Sequence, residues 1–176
     1  MLLIQLTGLS GSGKSTIAKG VKEFLVGKGF QVEVIDGDQY RKILCRDLGF
    51  SKEDRNENIR RLGFVANLLA THGVIAILAA INPYEEVRKE LRDYGPHVKT
   101  VWIQCDLDTL LKRDTKQLYQ KAFLAEGHPE KISNLTGVND PFEIPVNPDL
   151  IIRTDLEEEE ESIETLYAFI LDNIKV

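Results

Sequence analysis

The sequence predicts an α/β domain with a parallel sheet of five strands, and three observations carry that reading. Short β-prone apolar runs alternate with segments of helical periodicity, the order that produces strand-helix-strand units. The runs are hydrophobic end to end, as in Val74-Ile75-Ala76-Ile77-Leu78-Ala79-Ala80. Strands covered by helices on both faces read in this way, without one-sided alternation. A chain of 176 residues that is 43% apolar can also close one sizeable core, so residues 1–176 are expected to form a single domain.

The first strand is expected at Leu2–Thr7, followed by a helix whose Ile17, Val21, Phe24 and Leu25 share one face. A second strand, Val32–Ile35, precedes a helix with Ile59, Leu62, Ala66 and Leu69 on its apolar stripe. Ser51, with Asp54 three residues on, resembles the capping box that opens this helix, and Gly73 is placed to close it. The third strand is Val74–Ala80, and the fourth, Lys99–Cys105, contains Trp102, for which core packing is expected. The fifth is Leu150–Arg153, after which Glu157–Glu161 begins an amphipathic helix through Ile163, Leu166, Tyr167 and Ile170. Acids in a first turn favour the helix dipole and need no other role. From about 115 to 148 the periodicity weakens under Gly127, Pro129, Gly137, Pro141, Pro145 and Pro148. A mobile lid over the site is expected there, and it carries Lys116, Lys121 and Lys131.

Composition excludes several classes of function. With 22 basic and 28 acidic residues the formal charge is −6, which argues against a broad nucleic-acid footprint. No apolar run approaches the roughly 20 residues of a membrane span, and Met1 leads straight into a strand, so a cytoplasmic protein is expected. Cys45 and Cys105 stand 60 positions apart with no CxxC pattern, and His72, His97 and His128 are scattered. Neither a disulfide framework nor a zinc cage is indicated.

The strongest signal is Gly8-Leu9-Ser10-Gly11-Ser12-Gly13-Lys14-Ser15, which fits G-x-x-x-x-G-K-[S/T] between a strand and a helix. Wrapping a triphosphate requires successive backbone amides close to its oxygens, and Gly8, Gly11 and Gly13 remove the side chains that would obstruct them. Lys14 supplies a point charge to the β- and γ-phosphates, and the Ser15 hydroxyl can ligate Mg²⁺. The guanine-reading N-K-x-D is missing and the chain is short for a motor. Asp36-Gly37-Asp38 follows the second strand, placing two carboxylates where open α/β sheets keep their sites. One can take a proton from an attacking hydroxyl, and the other can orient metal-bound water.

With Asp36-Gly37-Asp38 and Arg41, Leu48-Gly49-Phe50-Ser51 through Arg61, Ile81-Asn82-Pro83-Tyr84, Arg113-Asp114-Thr115-Lys116-Gln117-Leu118-Tyr119 and Thr136 through Glu143, the chain resembles the adenylylsulfate kinases. The resemblance runs in family order from residue 1 to about 155. It implies a three-layer α/β/α P-loop NTPase fold of the nucleoside-monophosphate-kinase type, and transfer of phosphate from MgATP to the ribose 3′-hydroxyl of adenosine 5′-phosphosulfate. By the same resemblance Asp38 is the base or orienting group and Asp36 organises the magnesium water shell. ATP would lie along Gly8, Ser10, Gly11, Ser12, Gly13, Lys14, Ser15 and Thr16, with Arg113 near the nucleotide. The acceptor would be held by Asp38, Arg41, Phe50, Arg55, Asn58, Ile81, Asn82, Lys116, Leu135 and Thr136. A homodimer is also implied.

Four positions depart from the family pattern. Asn82 stands where many members have a phosphorylatable serine, which leaves direct in-line transfer. Leu135 replaces a common phenylalanine, which weakens base stacking by ~1 kcal/mol. Gln117 replaces a glycine and Phe123 an arginine. The last three alter the acceptor side, so a 3′-hydroxyl kinase of another nucleotide, such as a cytidine 5′-diphosphate derivative, is the alternative substrate reading. A regulatory nucleotide-binding module without turnover is the alternative of another class. Retention of Asp36 and Asp38 distinguishes the enzyme from it.

Overall fold

The computed structural model describes residues 1–114 and 116–174. Thr115, at the start of the interrupted segment, therefore lies outside the described residues. Five strands, β1 (Leu3–Thr7), β2 (Val32–Asp36), β3 (Ile75–Ala79), β4 (Val98–Gln104) and β5 (Leu150–Arg153), form one sheet in the order β2-β3-β1-β4-β5. Every neighbouring pair is parallel. The chain winds both ways from β1, so the carboxyl ends of β1 and β3 flank the point where strand order reverses. Helices α1 (Lys14–Gly27), α2 (Gly37–Leu44), α3 (Lys52–Thr71), α4 (Glu85–Arg92), α5 (Leu107–Arg113), α6 (Leu118–Ala122) and α7 (Glu159–Ile174) complete the described elements.

Two cores flank the sheet. Ile4, Leu6, Ile77, Val101 and Ile152 pack with Ile17, Val21 and Leu25 of α1 and Ile163, Leu166 and Ile170 of α7. On the other face Leu3, Ile35, Ala76 and Leu78 meet Ile59, Leu62 and Ala66 of α3 and Val87 and Leu91 of α4. Each fully buried Leu or Ile contributes roughly 1.5–3 kcal/mol, so the two-sided cover of β1 and β3 is a large share of the stabilisation. A Cβ on Gly20 would stand 2.4 Å from Ile163 Cδ1, which is why α1 and α7 can close so tightly. The capping signals resolve as expected: Ser51 Oγ accepts from Asp54 N at 3.1 Å, and Gly73 takes a positive φ of 87° just after α3.

The outer strands differ from the expectation of continuous burial. In β4, Val98, Thr100, Val101 and Ile103 are buried while Lys99, Trp102 and Gln104 are only partly so, and in β5 Ile152 alone is buried. Trp102 is therefore not a core residue. It pairs with Ile151, itself half-exposed, on the face where α4 covers Val98 four residues earlier.

The segment from 116 to 148 contains little regular structure beyond α6, yet it has a core of its own. Tyr119, Ala122 and Leu135 pack with Leu110 of α5, and Leu9 of the glycine-rich loop, Leu118, Ile132 and Val138 surround them. Gln117 has φ 55°, the left-handed conformation that a glycine adopts freely and that costs another residue about 1–2 kcal/mol. Among the described residues no helix is long and apolar enough to cross a membrane.

Candidate active site

The site begins at the end of β1, where the chain must turn sharply into α1. Gly8 lies so close to β4 that a Cβ there would be 2.3 Å from the Ile103 carbonyl oxygen. Gly11 and Gly13 have φ 77° and 94°, and Gly13 caps α1. The loop curls around the Lys14 ammonium, which donates to the carbonyls of Gly8 at 2.8 Å and Leu9 at 2.6 Å and reaches Ser12 Oγ at 3.3 Å.

Burial lowers the pKa of Lys14 to about 7; Lys116 pushes in the same direction and Asp38 and Asp36 oppose it. Polyphosphate in the loop would restore the ammonium. Polyphosphate binding there is therefore expected to take up a proton between pH about 7 and 10.5, with affinity falling as pH rises through that window. Isothermal titration at pH 8.5 in two buffers of different ionisation enthalpy measures the uptake, expected to approach about one proton per nucleotide. Equal heats in both buffers would refute it.

Asp36 ends β2 and caps α2, accepting from the amides of Asp38 at 3.0 Å and Gln39 at 3.2 Å. Its other oxygen accepts from Ser15 Oγ at 2.6 Å. Burial pushes the Asp36 pKa up, but the Ser15 hydroxyl and the two amides outweigh it and hold the carboxyl below its usual range. Two residues on, Asp38 is largely exposed and paired with Lys116 from the far side of the cleft. A hydroxyl and a carboxylate side by side beneath the loop form the hard oxygen donor set that suits Mg²⁺.

These residues open into one cavity of about 1230 Å³. Ser10, Gly11, Gly13, Lys14, Ser15, Thr16, Asp36, Asp38, Arg41, Phe50, Arg55, Ile81, Arg113, Lys116, Leu135 and Thr136 all line it. Gly8, Ser12, Asn58 and Asn82, expected at the site, are buried and do not line it. Asn82 is 1% exposed with φ 45°, its Nδ2 donating to Gln5 Oε1 at 3.1 Å. The Arg88 guanidinium, fully buried, donates to the carbonyls of Asn82 and Glu143 at 2.7 Å each, fixing the turn after β3.

At the α2–α3 end of the cavity, the Arg41 guanidinium lies 4.6 Å from the centre of the exposed Phe50 ring, and that of Arg55 lies 5.6 Å away. Arg55 is already engaged: it donates to Thr136 Oγ1 at 3.0 Å and to the Asn134 carbonyl at 2.6 Å, and its Nε lies 3.2 Å from Asp140 Oδ2. It ties α3 to the loop that carries Leu135. At the opposite end Arg113 donates to the Thr154 carbonyl at 2.5 Å. Cys105, Asp106 and Asp155 converge there, but Asp106 serves Thr109 as the α5 cap and Arg113 Nη1 stands 3.6 Å from Cys105 Sγ, so a cation already holds that cluster.

The sequence reading missed Cys45, Lys42, Arg46 and Thr154 as lining residues. Thr154 had a usable signal, since it is the first residue beyond the carboxyl end of a strand; the others had none.

The sequence model of one family, described as adenylylsulphate kinase, matches residues 1–153. An adenylyl-sulfate kinase of Chloroflexus aurantiacus is 47% identical over 167 residues, covering 95% of this chain and 87% of that protein. The APS kinase of Mycobacterium tuberculosis, solved in complex with AMPPNP and APS, superposes with a TM-score of 0.86 at 38% identity, covering 99% of this chain and 98% of that one. A hexameric APS kinase from Thiobacillus denitrificans has a TM-score of 0.70 at 28% identity, covering 97% of this chain and 29% of that one.

Proposed function

Since the chain belongs to the adenylylsulphate kinase family, we infer that its cavity carries out phosphoryl transfer from ATP to adenosine 5′-phosphosulfate. The products are 3′-phosphoadenosine 5′-phosphosulfate and ADP. The observation that carries this reading is the direct link between the phosphate loop and the second-strand acids, Ser15 Oγ to Asp36 Oδ2 at 2.6 Å, on the floor of a cavity open to Asp38 and Arg41. A binding module needs the loop but not acids poised across from it.

In this reading ATP lies against the loop of residues 8–16, with the amides of Gly11 and Gly13 turned to its phosphates, Lys14 on its outer phosphates and Arg113 beside its base end. Ser15 and Asp36 would hold Mg²⁺, which when bound neutralises charge on the phosphates. Asp38 aligns the ribose hydroxyl and accepts its proton as the oxygen attacks the γ-phosphorus in line. Arg41 and Phe50 supply a planar cation and an aromatic face for the acceptor, with Lys116 and the loop of Leu135 and Thr136 above them. Lys116 exchanges Asp38 for the acceptor's anionic end when the segment from 115 to 148 closes as a lid and excludes water. The enzyme works as a homodimer in the cytoplasm, where ATP is plentiful; light scattering of the purified protein gives the assembly directly.

Purified protein is expected to release ADP from MgATP when adenosine 5′-phosphosulfate is present and not in its absence. Cytidine 5′-diphosphate derivatives serve as control acceptors. Turnover on those alone would move the substrate assignment, and nucleotide binding with turnover on none would make the protein a sensor.

A further inference from the structure

We propose that Tyr119 and Thr154 are positioning residues of the donor site: their hydroxyls pin two peptide planes of the glycine-rich loop so that the amides of Gly11 and Gly13 face the polyphosphate. The inference rests on the reading of that loop as the ATP cradle.

In a trans peptide the carbonyl and the following N–H point in opposite directions, so fixing one aims the other. The two planes in question, Ser10–Gly11 and Ser12–Gly13, are each followed by a glycine with positive φ, at 77° and 94°. Glycine tolerates both signs of φ, which makes these the planes most free to turn over. Each is held from outside the loop. Tyr119 Oη donates to the Ser10 carbonyl at 2.8 Å across 109 residues, from a ring buried with Leu110 and Leu135. Thr154 Oγ1 donates to the Ser12 carbonyl at 3.0 Å across 142 residues. The Gly8 and Leu9 carbonyls, by contrast, are held from within by Lys14. Burial pushes the Tyr119 phenol up to about 12, so it remains a donor throughout the working pH range. The segment that reaches over the acceptor thus also sets the shape of the donor cradle.

Tyr119→Phe and Thr154→Val remove the donors with little change in volume, and Thr154→Ser retains one. Titration calorimetry with MgATP and steady-state kinetics for both substrates are run on these variants beside the wild type. Kd and KM for ATP are expected to rise about tenfold in Tyr119→Phe and Thr154→Val, the loss of one buried hydrogen bond. The KM for adenosine 5′-phosphosulfate should stay within about twofold, and Thr154→Ser should restore ATP affinity. A purely structural role would lower the active fraction or move both KM values together, and either result overturns the proposal. Should Tyr119→Phe fail to fold, the contrast between Thr154→Val and Thr154→Ser decides. Wild-type binding of ATP with unmoved variants defeats the positioning role alone; wild-type protein that binds no ATP defeats the cradle reading and this inference with it.

Discussion

Lys14→Ala is expected to lower kcat/KM by at least about a thousandfold, because one side chain does two things. In the empty loop its amino group ties together the carbonyls of Gly8 and Leu9 and the hydroxyl of Ser12. Without it those carbonyls lose a buried donor, and the loop loses what curls it into a cradle. In the proposed transfer it is also the point charge that meets negative charge spreading over the migrating group, which no amide can replace. ADP release under saturating acceptor measures the loss, and a thermal midpoint recorded alongside separates it from unfolding. Turnover within tenfold of wild type would remove Lys14 from the mechanism.

Asp38→Asn should be nearly as severe in turnover but silent in donor binding. The side chain is largely exposed and takes no part in the cores, so the substitution keeps shape and removes only charge and basicity. General-base contributions of this kind are worth between about a hundredfold and ten-thousandfold. MgATP affinity, measured by calorimetry, should change by less than about twofold, since Asp36 and not Asp38 touches Ser15. Unchanged turnover would strip Asp38 of its role as base. A parallel loss of ATP affinity would instead place it on the donor side.

Much of the architecture was legible because burial on both faces leaves an unbroken apolar signature: the runs Leu2–Thr7 and Val74–Ala80 contain β1 and β3, which the structure trims to Leu3–Thr7 and Ile75–Ala79. The glycine-rich loop was legible because its backbone requirements are local. Trp102 was misread because one residue's cover depends on how far a helix from elsewhere extends over the sheet. The packing of Tyr119, Leu135 and Leu9 into a third cluster was invisible for the same reason, since the partners lie far apart in sequence and the segment lacks periodicity. Arg55 illustrates the limit at the site. Its residue type suggests an anion ligand, whereas its observed bonds to Asn134 and Thr136, about 80 positions away, make it a strut as well.

The contact between Leu9 and Gly137 bears on how the acceptor side could be altered. A Cβ on Gly137 would fall 2.5 Å from Leu9 Cδ2, and that glycine has φ 85°. The loop that carries Leu135 and Thr136 is thus moulded onto the apex of the glycine-rich loop. Transplanting residues 132–140 from a relative with different base preference would have to keep glycine at 137 or exchange Leu9 in the same step, because the two surfaces form one mould with a single casting.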